Sequence, residues 1–274
     1  MLSLMHTEEF VGKHASLKKV IEKRGSLLIA YSSGVDSALL AAVAKEVLGR
    51  GAHCVFLDSP LVPRSAVQDA QRIAHNLGLS FEIIRQPALG EEMRRNPPDR
   101  CYHCKKSDAQ VLKKRAQELG LSCVADGINL SDRNEHRPGI IASTEEGIVH
   151  PFIEAGITKE DIRNIARECG YDFWNKPSAA CLSSRIPYGE EITEEKLRMI
   201  EAAEDYLHTQ GFDQVRVRLH RDTARIEVEN RKIPELAVIR AGIVEEFKRM
   251  GITYISLDLE GYRSGSMDEG IPSG

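Results

Sequence analysis

The stretch LLIAYSSGVDSALLAAVA, residues 27–44, determines the fold of this 274-residue chain. Its apolar start predicts a buried strand, Leu27–Ala30, and its Ala/Leu-rich end predicts a helix, Ala38–Leu48. The polar loop between them can offer backbone amides, hydroxyls and the positive end of a helix dipole to a pyrophosphate group. It lacks the Gly-Lys-Ser/Thr ending of a Walker A loop, and a generic strand-to-helix turn remains the alternative.

Strand and helix patterns continue to alternate after this stretch. Further strands are predicted at His53–Leu57, Ser80–Ile84 and Ser122–Ala125, with helical patterns between them. This order predicts βαβ units, and hence an α/β fold with a parallel sheet covered by helices on both faces. Ligands bind such sheets at the carboxyl ends of the strands.

The pattern changes after Gly189, which predicts two domains, 1–189 and 190–274. The second is expected to be a smaller α+β domain. Its predicted elements are a helix from Thr193 to Gly211, strands Gln214–Leu219 and Ala224–Glu229, a helix from Pro234 to Met250 and a strand Tyr254–Leu257.

Composition narrows the class of protein. The formal net charge of −4 argues against a nucleic-acid partner, since proteins that bind phosphate backbones carry a basic excess. The N-terminal sequence lacks a signal-peptide pattern and no run approaches a membrane span, so a cytoplasmic protein with reduced cysteines is expected. Cys54, Cys123 and Cys169 lie in apolar patterns and are predicted to be core residues.

The loop resembles the S-G-G-x-D-S signature of the PP-loop ATP pyrophosphatases. The matching residues are Ser32, Gly34, Asp36 and Ser37, whereas Ser33 replaces the usual glycine. The resemblance implies that the loop binds ATP with Mg²⁺, and that ATP is cleaved between its α and β phosphates to activate a substrate as its adenylate.

Three other segments supply candidate nucleotide contacts. Gly127 lies in the run 126–129, Asp-Gly-Ile-Asn, which follows the fourth predicted strand, and Arg137 opens an Arg-Pro-Gly run. Similar runs occur in adenylating PP-loop enzymes. Asp58, at the end of the second strand, either faces the nucleoside or simply ends the strand.

The run KPSAACLSSRIPYG, residues 176–189, is the most specific in the chain. It resembles the LarE family of sulfur transferases, whose pattern is K-P-x-x-A-C-L-x-S-R-x-P-Y-G and which serve the pincer cofactor of lactate racemase. The resemblance implies that a carboxylate of a pyridinium dicarboxylate mononucleotide is adenylated and then converted to a thiocarboxylate. Cys181 matches the cysteine that donates its own sulfur, with Ser184 and Arg185 as its catalytic neighbours. A homo-oligomer, a hexamer built through the small domains, is also implied.

A second cysteine motif, Cys101-Tyr-His-Cys104, lies on a predicted loop entering a helix. Donation of sulfur from one cysteine gives this pair no role. Together with Cys181 it supplies three thiolates, which can hold a [4Fe-4S] cluster and leave one iron open for a sulfide. Some relatives resemble this arrangement. A zinc site, a redox pair and two merely packed thiols remain open.

The run Val215–His220 alternates with period two, so Arg216, Arg218 and His220 share one strand face. The resemblance implies that the two arginines bind the substrate phosphate. A solvated face with Arg–Glu pairs is the alternative, and Glu227 either serves a metal or pairs with an arginine.

Three other functions compete with this assignment. A PP-loop tRNA thiolase would need a basic RNA-binding domain or zinc ribbons, and neither is evident. An amide-forming PP-loop synthetase would not need Cys181. A non-catalytic domain that only holds AMP is the third alternative, to which the departure at Ser33 gives some support.

Overall fold

In the computed structural model, the described residues are 2–86, 89–134, 138–177, 180–263 and 265–267. Side chains are described from Gly12 onward, except at 133 and 134. By its contacts the chain divides into two compact units. The first comprises Met1–Ala88 and Asp99–Ala179, and the second comprises Leu89–Pro98 and Ala180–Gly274. The sequence placed the boundary later, after residue 189.

The first unit is built on a four-stranded parallel sheet with the order β3-β2-β1-β4. This confirms the predicted α/β class. The strands are β1 (Leu27–Ala30), β2 (Ala52–Asp58), β3 (Phe81–Arg85) and β4 (Val124–Ala125). The helices of this unit are α1 (Leu2–Glu22), α2 (Val35–Leu48), α3 (Arg64–Asn76), α5 (Arg100–Glu118), α6 (Pro138–Glu145), α7 (Pro151–Glu154) and α8 (Lys159–Glu168), while α4 (Glu91–Arg94) belongs to the second unit.

Both faces of this sheet are buried, as a parallel sheet requires. Leu27 and Ile29 belong to a core that includes residues of α1, α2 and α8. Leu28, with the opposite side-chain direction, packs in a separate cluster with Ala109 and Leu112 of α5. The strand order reverses between β1 and β4, so the loops that follow these two strands flank the point where such sheets bind ligands.

Two helices of the first unit begin earlier than their sequence patterns indicated. Helix α2 begins at Val35, which places Asp36 and Ser37 in its first turn. Helix α5 begins at Arg100, so Cys101 and Cys104 lie at its start and the predicted loop position was wrong. Pro98 ends the preceding segment, and no helix-breaking residue lies between it and the predicted start.

The second unit contains a three-stranded sheet with the order β5-β6-β7. Strands β5 (Val215–His220) and β6 (Thr223–Val228) are antiparallel, and β7 (Tyr254–Leu257) is parallel to β6. Its longer helices are α9 (Glu194–Thr209), α10 (Ile233–Val238) and α11 (Arg240–Arg249). The sequence predicted one helix from Pro234 to Met250. The interruption falls at Ile239, which with Val238 forms a pair of β-branched residues of weaker helix propensity.

Within the part of the chain that the structure describes, no helix has the length and apolar character to span a membrane.

The segment 89–98 joins the second unit through Asn96, which is fully buried with a φ of 55°. Its side-chain amide donates to the carbonyl oxygens of Ile186 at 3.3 Å and Pro187 at 2.7 Å.

Candidate active site

The loop after β1 is closed by its own hydroxyl groups. The backbone amide of Ser32 donates to Oγ of Ser37 at 3.1 Å, and that hydroxyl donates to the carbonyl oxygen of Gly34 at 3.2 Å. Gly34 is the N-cap residue of α2, and no side chain caps the helix there. The free amides of the helix start are therefore available to an anion, as the phosphate-loop interpretation requires.

Ser33, the departure from the PP-loop signature, takes a left-handed conformation with a φ of 59°. This region favours glycine and costs free energy for other residues. The side chain is fully buried, and its hydroxyl donates to the carbonyl oxygen of Ala66 on α3 at 3.2 Å. The loop thus keeps the conformation expected of glycine, with the serine anchored to a neighbouring helix.

Asp36 combines one satisfied carboxylate oxygen with one unsatisfied oxygen. Lys159, at the start of α8, donates to Oδ2, whereas Oδ1 is buried and has no hydrogen-bond partner among the described residues. Burial raises the pKa of Asp36, although the charge of Lys159 opposes that shift. A buried carboxylate oxygen without a partner is suited to a hard cation.

Gly127 lies against the phosphate loop. A Cβ atom at this position would lie 2.9 Å from Cβ of Asp36 and 3.0 Å from the amide nitrogen of Ser37, so the close approach requires glycine. The preceding Asp126 is buried and accepts from Ser143 and from the ring of His150, both at 2.7 Å. These bonds fix the turn after β4 beside the loop after β1.

Two other residues, Asp58 and Arg137, were predicted to contact the nucleotide, and the structure describes only the first. Asp58 is the last residue of β2 and accepts from the guanidinium of Arg64 at 2.6 Å. Its contact with a nucleoside stays a prediction. Arg137 lies outside the described residues.

The Cys101 and Cys104 pair lies one turn apart at the start of α5. Cys101 is exposed, whereas Cys104 is half-buried, with its sulfur 3.8 Å from Oδ2 of Asp108. Among the residues that the structure describes, no three His, Cys, Asp or Glu side chains come together as a metal ion would need. The pair supplies two neighbouring thiols, and a third ligand is not gathered with them.

The remaining cysteines divide between core and surface. Cys54 is buried in β2, and burial raises the pKa of its thiol to about 12. Cys123 is only half-buried. Cys169 is exposed at the end of α8, so the prediction of Cys169 as a core residue was wrong. Residues 167–170 at the end of α8 are all exposed, so Cys169 lies in a turn that faces solvent.

Cys181 lies in the second unit, at the start of a 3₁₀ turn, Leu182–Arg185. It is exposed, and its sulfur lies 3.0 Å from the hydroxyl oxygen of Ser183. Ser184 donates from its hydroxyl to the carbonyl oxygen of Cys181 at 2.8 Å. The thiol is accessible while its backbone is fixed.

Arg185 fixes that backbone from the protein interior. It is 2% exposed, and its guanidinium donates to both carboxylate oxygens of Glu204 on α9 at 2.9 Å. The same group donates to the carbonyl oxygens of Ala180 and Cys181 at 3.0 Å. These contacts are with the backbone of Cys181, so the structure gives Arg185 a positioning task.

The two arginines of β5 differ in their partners. Arg218 is buried and donates twice to Glu227, which is fully buried and also accepts from Arg225. Arg218 further donates to the carbonyl oxygen of Ser184 at 2.9 Å, so it ties the sheet to the Cys181 turn. Its guanidinium is thus largely committed to protein groups, as in the Arg–Glu pairing that the sequence left open.

Arg216 lacks such a carboxylate among its described contacts. Its guanidinium donates to the carbonyl oxygen of Val215 and lies 5.4 Å from the ring centre of Tyr262. Burial lowers the pKa of Arg216, and the charge of Arg185 adds to the effect. A partly desolvated cation beside other cations is a favourable site for an anion.

Three residues important for this geometry were missed from the sequence. Lys159 contacts Asp36, Lys176 contacts Ser33, and Glu204 holds Arg185. Lys176 is part of the run 176–189, which gave a signal without indicating a role. Glu204 lies in an amphipathic helix pattern, where a buried acid has no local signature.

The chain is similar to several known proteins. A family model described as NAD synthase matches residues 10–99. An uncharacterised protein of Synechocystis is 40% identical over 259 residues, covering 93% of this chain and 97% of that protein. The pyridinium-3,5-bisthiocarboxylic acid mononucleotide synthase of Lactiplantibacillus plantarum is 34% identical over 259 residues, covering 94% of each chain. The tRNA-specific 2-thiouridylase of Clostridioides difficile is 23% identical and covers 64% of this chain and 60% of its own.

Proposed function

The chain belongs to the LarE family of ATP-using sulfur transferases, and on that premise we propose that it adenylates a carboxylate of a pyridinium dicarboxylate mononucleotide and converts it to a thiocarboxylate. The product class is that of the nickel-pincer cofactor. The observation that carries the proposal is the presence in one chain of an ATP-type phosphate loop and an exposed, backbone-clamped Cys181.

The first step is activation by ATP at the loop of residues 32–37. The amides at the start of α2 would bind the phosphates, and Gly127 lets the turn after β4 approach the loop closely. Mg²⁺ fits here because it binds through one or two carboxylates plus phosphate oxygens, and Oδ1 of Asp36 has no partner in the part of the chain that the structure describes. Asp58 and Arg137 complete the proposed nucleotide site.

The second step is attack of sulfur on the acyl adenylate. A carboxylate is a poor electrophile until one oxygen leaves as AMP, whereas a thiolate is a strong nucleophile. If Cys181 attacks, its sulfur forms a thioester and AMP leaves with the electron pair. Loss of the Cα proton and cleavage of the Cβ–S bond then release the thiocarboxylate and leave dehydroalanine at position 181.

A [4Fe-4S] cluster held by Cys101, Cys104 and Cys181 is the alternative sulfur source. The pair on α5 fits two of the three ligands, because residues three apart lie on one helix face. Among the described residues, no three such ligands come together. In this alternative Cys181 is a ligand and keeps its sulfur.

Arg216 is the residue that we propose for the substrate phosphate. Arginine binds phosphate through charged, bidentate hydrogen bonds, and this one is partly buried, with no carboxylate among its described contacts. Arg218 is proposed to support it by holding Glu227 and the Cys181 turn. The small domain, 190–274, is proposed to carry this subsite and the contacts of a cytoplasmic homo-oligomer.

The test combines product analysis with the mass of the protein. With ATP and the mononucleotide, the chain should release pyrophosphate and AMP and form thiocarboxylate, and omission of the mononucleotide should abolish this turnover. Absence of substrate-dependent pyrophosphate release would refute the proposal. Loss of one H₂S from Cys181 would identify its own sulfur as the source. An unchanged Cys181, with iron and sulfide in anaerobically purified protein, would identify the cluster.

A further inference from the structure

Lys176, the first residue of the run 176–189, contacts the phosphate loop within the first unit. Its ammonium group donates to the carbonyl oxygen of Ser33 at 3.0 Å and lies 3.3 Å from the hydroxyl oxygen of the same residue. It also pairs with the carboxylate of Asp69 on α3 at 2.7 Å. An ammonium has three N–H donors, and each has an acceptor here. The lysine is therefore engaged with protein groups.

The residue that Lys176 holds is the one whose backbone is disfavoured. Ser33 has a φ of 59° and occupies a position where the loop signature has glycine. A non-glycine residue keeps this conformation only when its surroundings fix it. The contacts to both the carbonyl and the hydroxyl of Ser33 supply such a constraint.

The contact between Lys176 and Ser33 is itself held by α3 on one side and by α8 on the other. Asp69 and Ala66, the acceptor of the Ser33 hydroxyl, both lie on α3. Burial would raise the pKa of Asp69, but hydrogen bonds from Lys176 and Arg72 outweigh it and lower that pKa. On the other side, Arg163 of α8 donates to the carbonyl oxygen of Lys176 at 3.4 Å.

We propose that Lys176 is a positioning residue for ATP binding. It compensates for serine at position 33 by holding that residue of the phosphate loop in its left-handed backbone conformation. This inference rests on the proposed function, in which the loop binds ATP. Lys176, the first residue of the run 176–189, thus acts on the nucleotide site through Ser33. Its contacts allow the loop to tolerate serine where the signature has glycine.

A double-mutant cycle tests the proposal with wild type, Lys176→Met, Ser33→Gly and the double variant. The measurements are the Kd for ATP and the kcat and KM for ATP in pyrophosphate release. In the Ser33 background, Lys176→Met should weaken ATP binding about tenfold, with a larger change in KM than in kcat. In the Ser33→Gly background the same substitution should have less than about a twofold effect, because glycine adopts the conformation unaided.

An equal loss in both backgrounds would overturn the proposal, since Lys176 would then act on the nucleotide or on the fold. Asp69→Asn provides a second test if Lys176→Met does not fold, and it should show a smaller loss that also disappears with Ser33→Gly. Lys113→Met removes an exposed ion pair with Glu146 and is the matched control. Failure of the wild type to bind ATP would instead refute the proposed function.

Discussion

At the scale of single residues, Arg216 and Arg218 show how neighbours on one strand face can have different roles. Arg218 neutralises the fully buried Glu227, whereas Arg216 has an aromatic ring and a carbonyl oxygen as its described contacts. The family resemblance implied that both bind the substrate phosphate, and Arg–Glu pairing was the alternative. The difference arises from Glu227 and Tyr262, which a period-two pattern on β5 does not indicate.

Substitution of these two arginines should therefore separate stability from binding. Arg218→Met leaves Glu227 without its main partner and should reduce the free energy of unfolding by about 3 kcal/mol. Arg216→Met should leave the free energy of unfolding nearly unchanged, because the substitution removes a desolvated cation. The KM for the mononucleotide should rise by about 10- to 100-fold in Arg216→Met. Urea unfolding and steady-state kinetics measure these effects, and a large stability loss in Arg216→Met would contradict the assignment.

Asp36 gives a prediction that depends on pH. Its folded-state pKa is raised by burial, so the charged carboxylate destabilises the folded protein, and this effect grows as pH rises from the unfolded pKa through the folded pKa. Asp36→Asn should consequently gain stability relative to wild type between about pH 4 and pH 8. The same variant should lose pyrophosphate release. Urea titrations at both pH values test this, and a relative loss of stability at the higher pH would contradict it.

At the scale of elements, the strands and the phosphate loop were predictable because their signals are local. An apolar run, a polar loop and a helix pattern within residues 27–48 are sufficient to place β1 and α2. The contacts that hold the site are not local. Ser33 and Lys176 are 143 positions apart, and Arg185 and Glu204 are 19 apart. No periodicity connects such pairs, so these partners were missed.

The Cys181 turn gives the prediction at this scale. Arg185→Lys keeps the charge but loses the planar fork that binds Glu204 and the backbone carbonyl oxygens. We expect a loss of about 1–2 kcal/mol of stability and faster amide hydrogen exchange within Leu182–Arg185. Arg198→Lys, in an exposed pair on α9, is the control and should change neither. Unchanged exchange in Arg185→Lys would show that the turn does not depend on the fork.

At the scale of the whole molecule, the chain is organised as two units with different tasks in the proposed reaction. The first carries the phosphate loop, and the second carries Cys181 and Arg216. The sequence indicated two domains from the change of pattern after Gly189. It did not indicate that the segment 89–98 belongs to the second unit, because that depends on the burial of Asn96 against Ile186 and Pro187.

In the proposed reaction ATP activates the acid, and sulfur reaches the acid only through Cys181. Single-turnover reactions of wild type and Cys181→Ser, with ATP and the mononucleotide, measure the two steps separately. The variant is predicted to release pyrophosphate as wild type does and to form no thiocarboxylate. Formation of thiocarboxylate by Cys181→Ser at the wild-type rate would contradict the account.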